Sequence, residues 1–181
     1  RFAPEVDRVI IAGHLPPWTV NVIHQVMPEG GQHNTNILGH LLRAVQRADC
    51  SERILWMNDD IYLLGAIKAH VFHLPRTPAR HAYFAGCFRN SMRILKAWGI
   101  AAPRDHELHI PVVLERDKVR ALLECLPDLE VAFRTLYFNW YHTTSTPMAD
   151  VKLRGEQRPR PDWWCFSSHS LAVRNGEFTE R

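Results

Sequence analysis

Two adjacent carboxylates, Asp59 and Asp60, form the sharpest chemical feature of the sequence. They follow Ile54-Leu55-Trp56-Met57, an apolar run typical of a buried strand. Ligands of open α/β sheets collect at the carboxyl ends of strands. Because adjacent carboxylates repel each other, a divalent cation such as Mg²⁺ or Mn²⁺, which also binds diphosphate oxygens, would stabilise the pair. Asn58-Asp59-Asp60 also suits a turn or a helix N-cap, so the tripeptide by itself leaves both interpretations open.

The surrounding apolar pattern predicts an α/β domain that positions these acids. Strands over 9–12 and 54–57 flank an amphipathic helix that begins near Asn36, with Thr35 or Asn34 as its candidate N-cap. This strand, helix, strand order indicates that part of the sheet is parallel. The remaining pattern predicts a strand over 21–26, a helix over 82–98 capped by Gly99, a strand over 108–114, helices over 117–126 and 130–141, an exposed loop over 154–161 and a last strand over 163–166.

Length and composition place the chain among single-domain proteins without a membrane span. Its 181 residues can bury a substantial core. The 22 Lys and Arg residues against 19 Asp and Glu give a charge of +3, and the scattered basic residues argue against a nucleic-acid partner. The four cysteines form no CxxC pair, which favours a reducing, cytoplasmic setting. No apolar run approaches the roughly 18 residues of a membrane span, and no signal-peptide pattern opens the chain.

Other residues with chemical potential favour structural roles. Eleven histidines are present, but no motif places two of them beside a glutamate on a helix, as zinc proteases require. Trp163 and Trp164, with Trp140 and Tyr141, have the types needed for a base- or sugar-stacking platform, although core packing is the commoner use and is favoured. No glycine-rich phosphate loop is present, which argues against a dinucleotide enzyme or a P-loop kinase.

Several short segments, taken in order along the chain, resemble the Stealth family of sugar-phosphotransferases. Residues 53–62, an apolar strand ending in Asn-Asp-Asp and a bulky apolar residue, are similar to the acidic signature of that family. Asn36 falls where those proteins carry an Asn ahead of the acidic strand. The other similar segments are 2–11 with the proline-rich turn 15–18, the His-x-Pro element at 107–111, the Arg-Ser-Leu-Tyr-like stretch at 134–137 and, more loosely, 150–152 and 165–168.

The resemblance implies a Rossmann-like, GT-A-type fold in which a mixed, partly parallel sheet is flanked by helices. It also implies a transferase that moves a sugar 1-phosphate, or a sugar, from a nucleotide-sugar donor to a hydroxyl acceptor such as a glycan or a capsule-like polysaccharide. Such chemistry relies on positioning and charge stabilisation, here with Mg²⁺ or Mn²⁺ as cofactor. By motif match, the metal ligands are Asp59 and Asp60, the catalytic residues are Asp60, His109 and Arg134, and the substrate-binding residues are Asn36, His40, Asn58 and Lys152.

Departures from the family pattern keep two alternative functions open. The family's opening strand, with its Trp-Val-Asp-Gly-like nucleotide-contacting element, is missing, so we expect a single domain over 1–181 that is truncated at its N-terminus. His40 stands where a Lys is expected, and Ser167-Ser168-His169 stands where larger members carry an acidic element. The alternatives are a phage-type glycosyltransferase acting on modified nucleic-acid bases and a non-catalytic nucleotide- or carbohydrate-binding module.

Overall fold

The computed structural model describes residues 6, 8–13, 15, 17, 19–26, 32–58, 60–78, 80–126, 130–153 and 157–168. Over these residues the chain is mixed α/β, with four helices and eight short strands. The elements, in order, are β1 (Ile10–Ala12), β2 (Ile23–Gln25), α1 (His33–Val45), β3 (Arg53–Trp56), β4 (Ile61–Leu63), β5 (Phe72–His73), α2 (Ala82–Ala97), β6 (Val112–Glu115), α3 (Arg116–Cys125), α4 (Phe133–Trp140), β7 (Thr146–Pro147) and β8 (Cys165–Ser167).

The strands pair two by two. Parallel pairs join β1 to β2 and β5 to β7, whereas β3 pairs antiparallel with β6, and β4 antiparallel with β8. Lys152 forms an isolated parallel bridge to Ser167, so the segment around Lys152 runs along β8. The predicted α/β class with both parallel and antiparallel pairing is therefore confirmed. The parallel pairs do not join the two strands that flank α1, because β1 takes β2 as its partner and β3 takes β6.

A helical core lies between α1, α3, α4 and the β3–β6 pair. Leu38, Leu41 and Val45 recur at helical spacing on one face of α1, and that face is the buried one. On α4 nearly every side chain is buried, which makes it the central helix of the domain. The buried members of the helical core are Leu38, Leu41, Val45, Leu95, Leu114, Val119, Leu122, Leu123, Leu126, Val131, Phe133, Leu136, Tyr137 and Phe138.

A smaller strand core lies beneath β4, β8 and the segments that flank them. Its members come from short extended stretches that are far apart in the sequence, and packing them together closes the second half of the domain. The buried members of the strand core are Ile61, Leu74, Leu108, Ile110, Val151, Trp164 and Cys165.

Helix ends differ from the predicted ones where a tertiary contact intervenes. The helix α1 begins at His33 with Gln32 as its N-cap, so neither Asn34 nor Thr35 caps it. The side chain of Asn34 instead donates to the Val131 carbonyl at 2.6 Å. Helix α2 ends as predicted, because Gly99 takes a left-handed conformation with φ of 84°.

Several predicted strands are shorter than expected, or shifted. The strand predicted over 108–114, interrupted or started by Pro111, is observed as β6 at 112–115. It begins directly after Pro111 because proline withholds an amide donor. The last strand, predicted over 163–166, is β8 at 165–167. The strands β4, β5 and β7 were not predicted, being only two or three residues long. Of the predicted loop over 154–161, the part over 154–156 lies outside the described residues, and 157–160 carries no helix or strand. No helix in the described part of the chain is long and apolar enough to cross a membrane.

Candidate functional site

The loop that carries His109 is held in place by hydrogen bonds from Arg134. This arginine lies on α4 with 5% of its surface exposed. Its Nη1 donates to the carbonyl of Leu108 and, at 2.9 Å, to the carbonyl of Ile110. One guanidinium group therefore holds the two carbonyls on either side of His109, and it fixes the position from which the imidazole projects.

The imidazole of His109 lies between a carboxylate and an ammonium group. Its Nδ1 is 2.8 Å from Asp150 Oδ2, and its backbone N–H donates to Asp150 Oδ1 at 2.9 Å. Lys152 Nζ lies 3.2 Å from His109 Nε2. Because the carboxylate accepts from Nδ1–H and the ammonium donates, these partners assign Nε2 as the acceptor nitrogen of the ring. About a third of each side chain, 32% for His109 and 28% for Asp150, is open to solvent.

The carboxylate of Asp150 is held in its charged form. Burial by itself raises its pKa, but the hydrogen bonds and charge of His109 lower it by more, with a net pKa below the ordinary value. An ionised Asp150 keeps the Nδ1–H tautomer of His109 and stabilises the ring when it becomes positively charged.

Asp60 reaches the same neighbourhood by strand pairing. It precedes β4, is 8% exposed, and its Oδ2 accepts a hydrogen bond of 2.7 Å from Ser167 Oγ. Its backbone carbonyl accepts from the Ser168 amide at 3.0 Å. Since Ser167 also bridges to Lys152, the residue after Asp60 and the Lys152 segment flank one position of β8. The short sheet thereby places the predicted acid close to the His109 group.

Charge interactions link Arg134 to three acids. Burial lowers the pKa of this guanidinium, and the negative charges of Glu107, Asp150 and Asp60 act against that effect. The three residues predicted as catalytic, Asp60, His109 and Arg134, are thus gathered in one region. The hydrogen bonds of Arg134, however, go to backbone carbonyls, and its guanidinium carbon lies 5.1 Å from the centre of the Trp56 ring. These are the contacts of a positioning residue rather than of a phosphate ligand.

The remaining predicted residues divide between the site and other places. Lys152 is in the site. Asn58 is exposed and accepts from the Ile61 amide at 3.3 Å, which is turn geometry. Asn36 and His40 lie on α1, where the His40 carbonyl accepts from the Gln25 side chain at 3.3 Å, and no described contact joins either residue to His109. Asp59 and His169 lie outside the described residues.

The described acids make only part of a metal site. Over the residues that the structure describes, no group of three or more His, Cys, Asp or Glu side chains is arranged to hold a metal ion. Both oxygens of Asp150 are engaged by His109, and Asp60 Oδ2 is engaged by Ser167. Mg²⁺ commonly takes one or two carboxylates and completes its shell with phosphate oxygens and water. Asp60 fits such a set as one ligand, with the others to come from outside this group.

Sequence reasoning missed Asp150 and Ser167 as site residues. A signal for Asp150 was present, because side chains two apart in an extended segment point to the same side. Asp150 and Lys152 both reach His109, whereas Val151 and Leu153, the alternate residues, are 0% and 5% exposed. The pairing of Ser167 with Asp60 has no local signal, since 107 residues separate them.

A second polar group holds the start of the His109 loop. The Nδ1 of His106 bonds to the Phe72 carbonyl at 2.8 Å, and its backbone N–H donates to Thr135 Oγ1 at 3.2 Å. Burial lowers the pKa of His106 to about 4. Glu107 accepts from the Thr135 amide at 2.9 Å, and burial raises its pKa. Asp105 is ion-paired with Arg80. This segment is thus pinned to α4 on one side and to β5 on the other.

Comparison with known proteins adds no family to this geometry. No protein-family model matches the chain, and no curated protein matches it.

Proposed function

We propose that this chain forms the site of a metal-dependent transferase that moves a sugar 1-phosphate, or a sugar, from a nucleotide-sugar donor to a hydroxyl acceptor such as a glycan. The observation that carries the proposal is the imidazole of His109, set between Asp150 and Lys152 and partly open to solvent. The motif likeness to the Stealth family supplies the donor class, and with it a Rossmann-like arrangement of the whole sheet.

In this proposal His109 is the general base for the acceptor. Its Nε2 takes the proton from the attacking hydroxyl, whose oxygen bonds to the transferred group as the bond from that group to the nucleotide phosphate breaks and the nucleotide leaves. Asp150 stabilises the imidazolium that results. Lys152, which donates to Nε2 in the resting site, turns to the transferred phosphoryl group and offsets its charge. Arg134 and Ser167 act through other residues, the former by holding the His109 loop and the latter by orienting the Asp60 carboxylate.

The acidic pair completes the proposal. Asp60, with Asp59 beside it in the sequence, would hold the divalent cation, which when bound neutralises charge on the diphosphate of the donor. The burial of Asp60 favours such a role, because a fixed carboxylate loses little freedom when it binds an ion.

Calorimetric titration of nucleotide-sugar donors with Mg²⁺ or Mn²⁺ tests the acid role. Asp60→Asn keeps the size of the side chain and an acceptor oxygen for Ser167, but removes the charge. We expect the variant to bind the donor at least about ten-fold more weakly in the presence of metal, and equally without it. The matched control is Asp117→Asn, an exposed acid on α3 paired with Arg116. Equal metal-dependent binding by wild type and Asp60→Asn would contradict the proposal.

The same material separates the other functions. Metal-dependent donor binding without transfer to any acceptor would indicate a non-catalytic binding module. Binding of DNA at low salt, with a steep loss of affinity as salt is raised, would indicate an acceptor base in nucleic acid.

A further inference from the structure

A small cavity of about 220 Å³ is walled in part by Met148 and Ala149, the two residues that precede Asp150 in the chain. Ala149 in its wall immediately precedes Asp150, and Trp164 immediately precedes Cys165. Burial raises the pKa of the Cys165 thiol to about 12, and Arg134, Asp150 and Lys68 all act on that thiol electrostatically. The lining residues are Lys68, Phe72, Met148, Ala149, Arg160, Asp162, Trp163 and Trp164.

The walls of this cavity combine aromatic rings with a free cation. Phe72, Trp163 and Trp164 give it apolar faces. Trp164 is 6% exposed, and its indole nitrogen is buried without a hydrogen-bond partner among the described residues, although a buried donor normally has one. Aromatic faces of this kind pack against the C–H faces of a ring.

The charge of the cavity comes mainly from Lys68. Arg160 is committed to Asp162, with two contacts of 3.1 Å between them. Lys68 is exposed and forms no ion pair with any described residue. Its ammonium group is therefore available to an anion, while the Arg160–Asp162 pair is nearly neutral.

We infer that this cavity binds a single sugar ring that carries a phosphate, with the ring against Trp163 and the phosphate against Lys68. Its volume is below the roughly 300–1,000 Å³ of sites that enclose a drug-sized ligand, which favours one ring over a whole nucleotide. Because Ala149 in the wall adjoins Asp150 in the chain, we take the ligand to be part of a substrate, and this step rests on the proposed function. Two sources share the chemistry, namely the sugar-phosphate end of the donor and a phosphorylated glycan acceptor.

Binding measurements on the full chain test the inference. The probes are glucose 1-phosphate, glucose 6-phosphate, the N-acetylglucosamine forms of both, and the matching methyl glycosides without phosphate. Lys68→Gln should weaken the phosphorylated probes about five-fold and leave the neutral glycosides unchanged. Trp163→Ala should weaken both kinds about ten-fold, and Trp163→Phe much less, because it keeps a flat ring. Lys96→Gln, an exposed lysine on α2, is the matched charge control.

The outcomes separate this site from the proposed reaction. Displacement of the bound sugar phosphate by UDP-glucose would assign the cavity to the donor, and simultaneous binding would assign it to the acceptor. His109→Gln should leave sugar-phosphate binding intact. If the wild type binds sugar phosphates but transfers nothing, the proposed reaction is rejected while the inference about the cavity stands. The inference is overturned if phosphorylated probes bind no tighter than neutral glycosides, or if Trp163→Ala binds them as wild type does.

Discussion

The helical core and the strand core of this protein differ in the elements that form them and in the polar residues that border them. The helical core is a continuous set of aliphatic and aromatic side chains, mostly supplied by helices. The strand core is half its size, and polar residues of the candidate site stand at its margin, with His109 between its members Leu108 and Ile110 and Lys152 next to Val151. The larger core buries more apolar side chains and so contributes more to stability, whereas the smaller one positions the residues of the candidate site.

Among the substitutions that test this difference between the cores, His109→Gln should have the largest effect, and that effect should be on the transfer rate. If His109 is the base, transfer from a nucleotide sugar should fall by about 10²–10⁴-fold. The free energy of unfolding should change by less than about 1 kcal/mol, because the side chain is a third exposed at the rim of the strand core. Steady-state transfer rates and urea unfolding measure the two quantities.

His81→Gln is the control for this substitution, since His81 is exposed at the start of α2. A His109→Gln variant that transfers at the wild-type rate would remove His109 from the reaction. If the free energy of unfolding of the variant falls by several kcal/mol, the imidazole instead contributes to the packing of the core.

The same contrast explains what could be predicted from the sequence. The helices of the larger core were predicted because their apolar spacing is local, as in Leu38, Leu41 and Val45. Asp60 is indicated by its place after a predicted strand as well as by motif likeness, and His109 and Lys152 by motif likeness alone. The structure brings all three into one region. What gathers them is the pairing of β4 with β8 and of Lys152 with Ser167, which are contacts between distant three-residue stretches. No periodicity in the sequence specifies such pairing.

Acid should lower the stability of the contact between the two cores. His106 is hydrogen-bonded to β5 through the Phe72 carbonyl and to α4 through Thr135. The other charged groups that act on its ring are His73, Asp105 and Arg104. Its pKa is about 4 in the folded chain against 6.5 for the free group, so protonation favours the unfolded state. The contribution of His106 is complete above pH 6.5 and is lost as pH falls to about 4, by up to about 3 kcal/mol.

His106→Asn isolates this effect, because its amide can still donate to the Phe72 carbonyl but does not titrate. Urea unfolding at pH 7, 6, 5 and 4.5 should show wild type losing stability faster than the variant. Comparison of the two slopes cancels Asp150, whose lowered pKa also costs stability in acid, and Glu107, whose raised pKa acts the other way. If the free energies of unfolding of wild type and variant fall in parallel with pH, protonation of His106 does not weaken the fold.

The smallest expected effect comes from a matched pair of valines. Val119 on α3 belongs to the helical core and Val151 to the strand core, and both are 0% exposed. Either change to Ala should cost about 1–3 kcal/mol of unfolding free energy, because each removes two buried methyl groups. The contrast lies in activity. If the proposed transfer takes place at the His109 site, Val151→Ala should also slow it, since Val151 is buried between Asp150 and Lys152 in the chain. Val119→Ala should leave the rate of the folded protein unchanged. Rates measured at a temperature where both variants are folded decide the matter, and equal rates would mean that the strand core does not position the site.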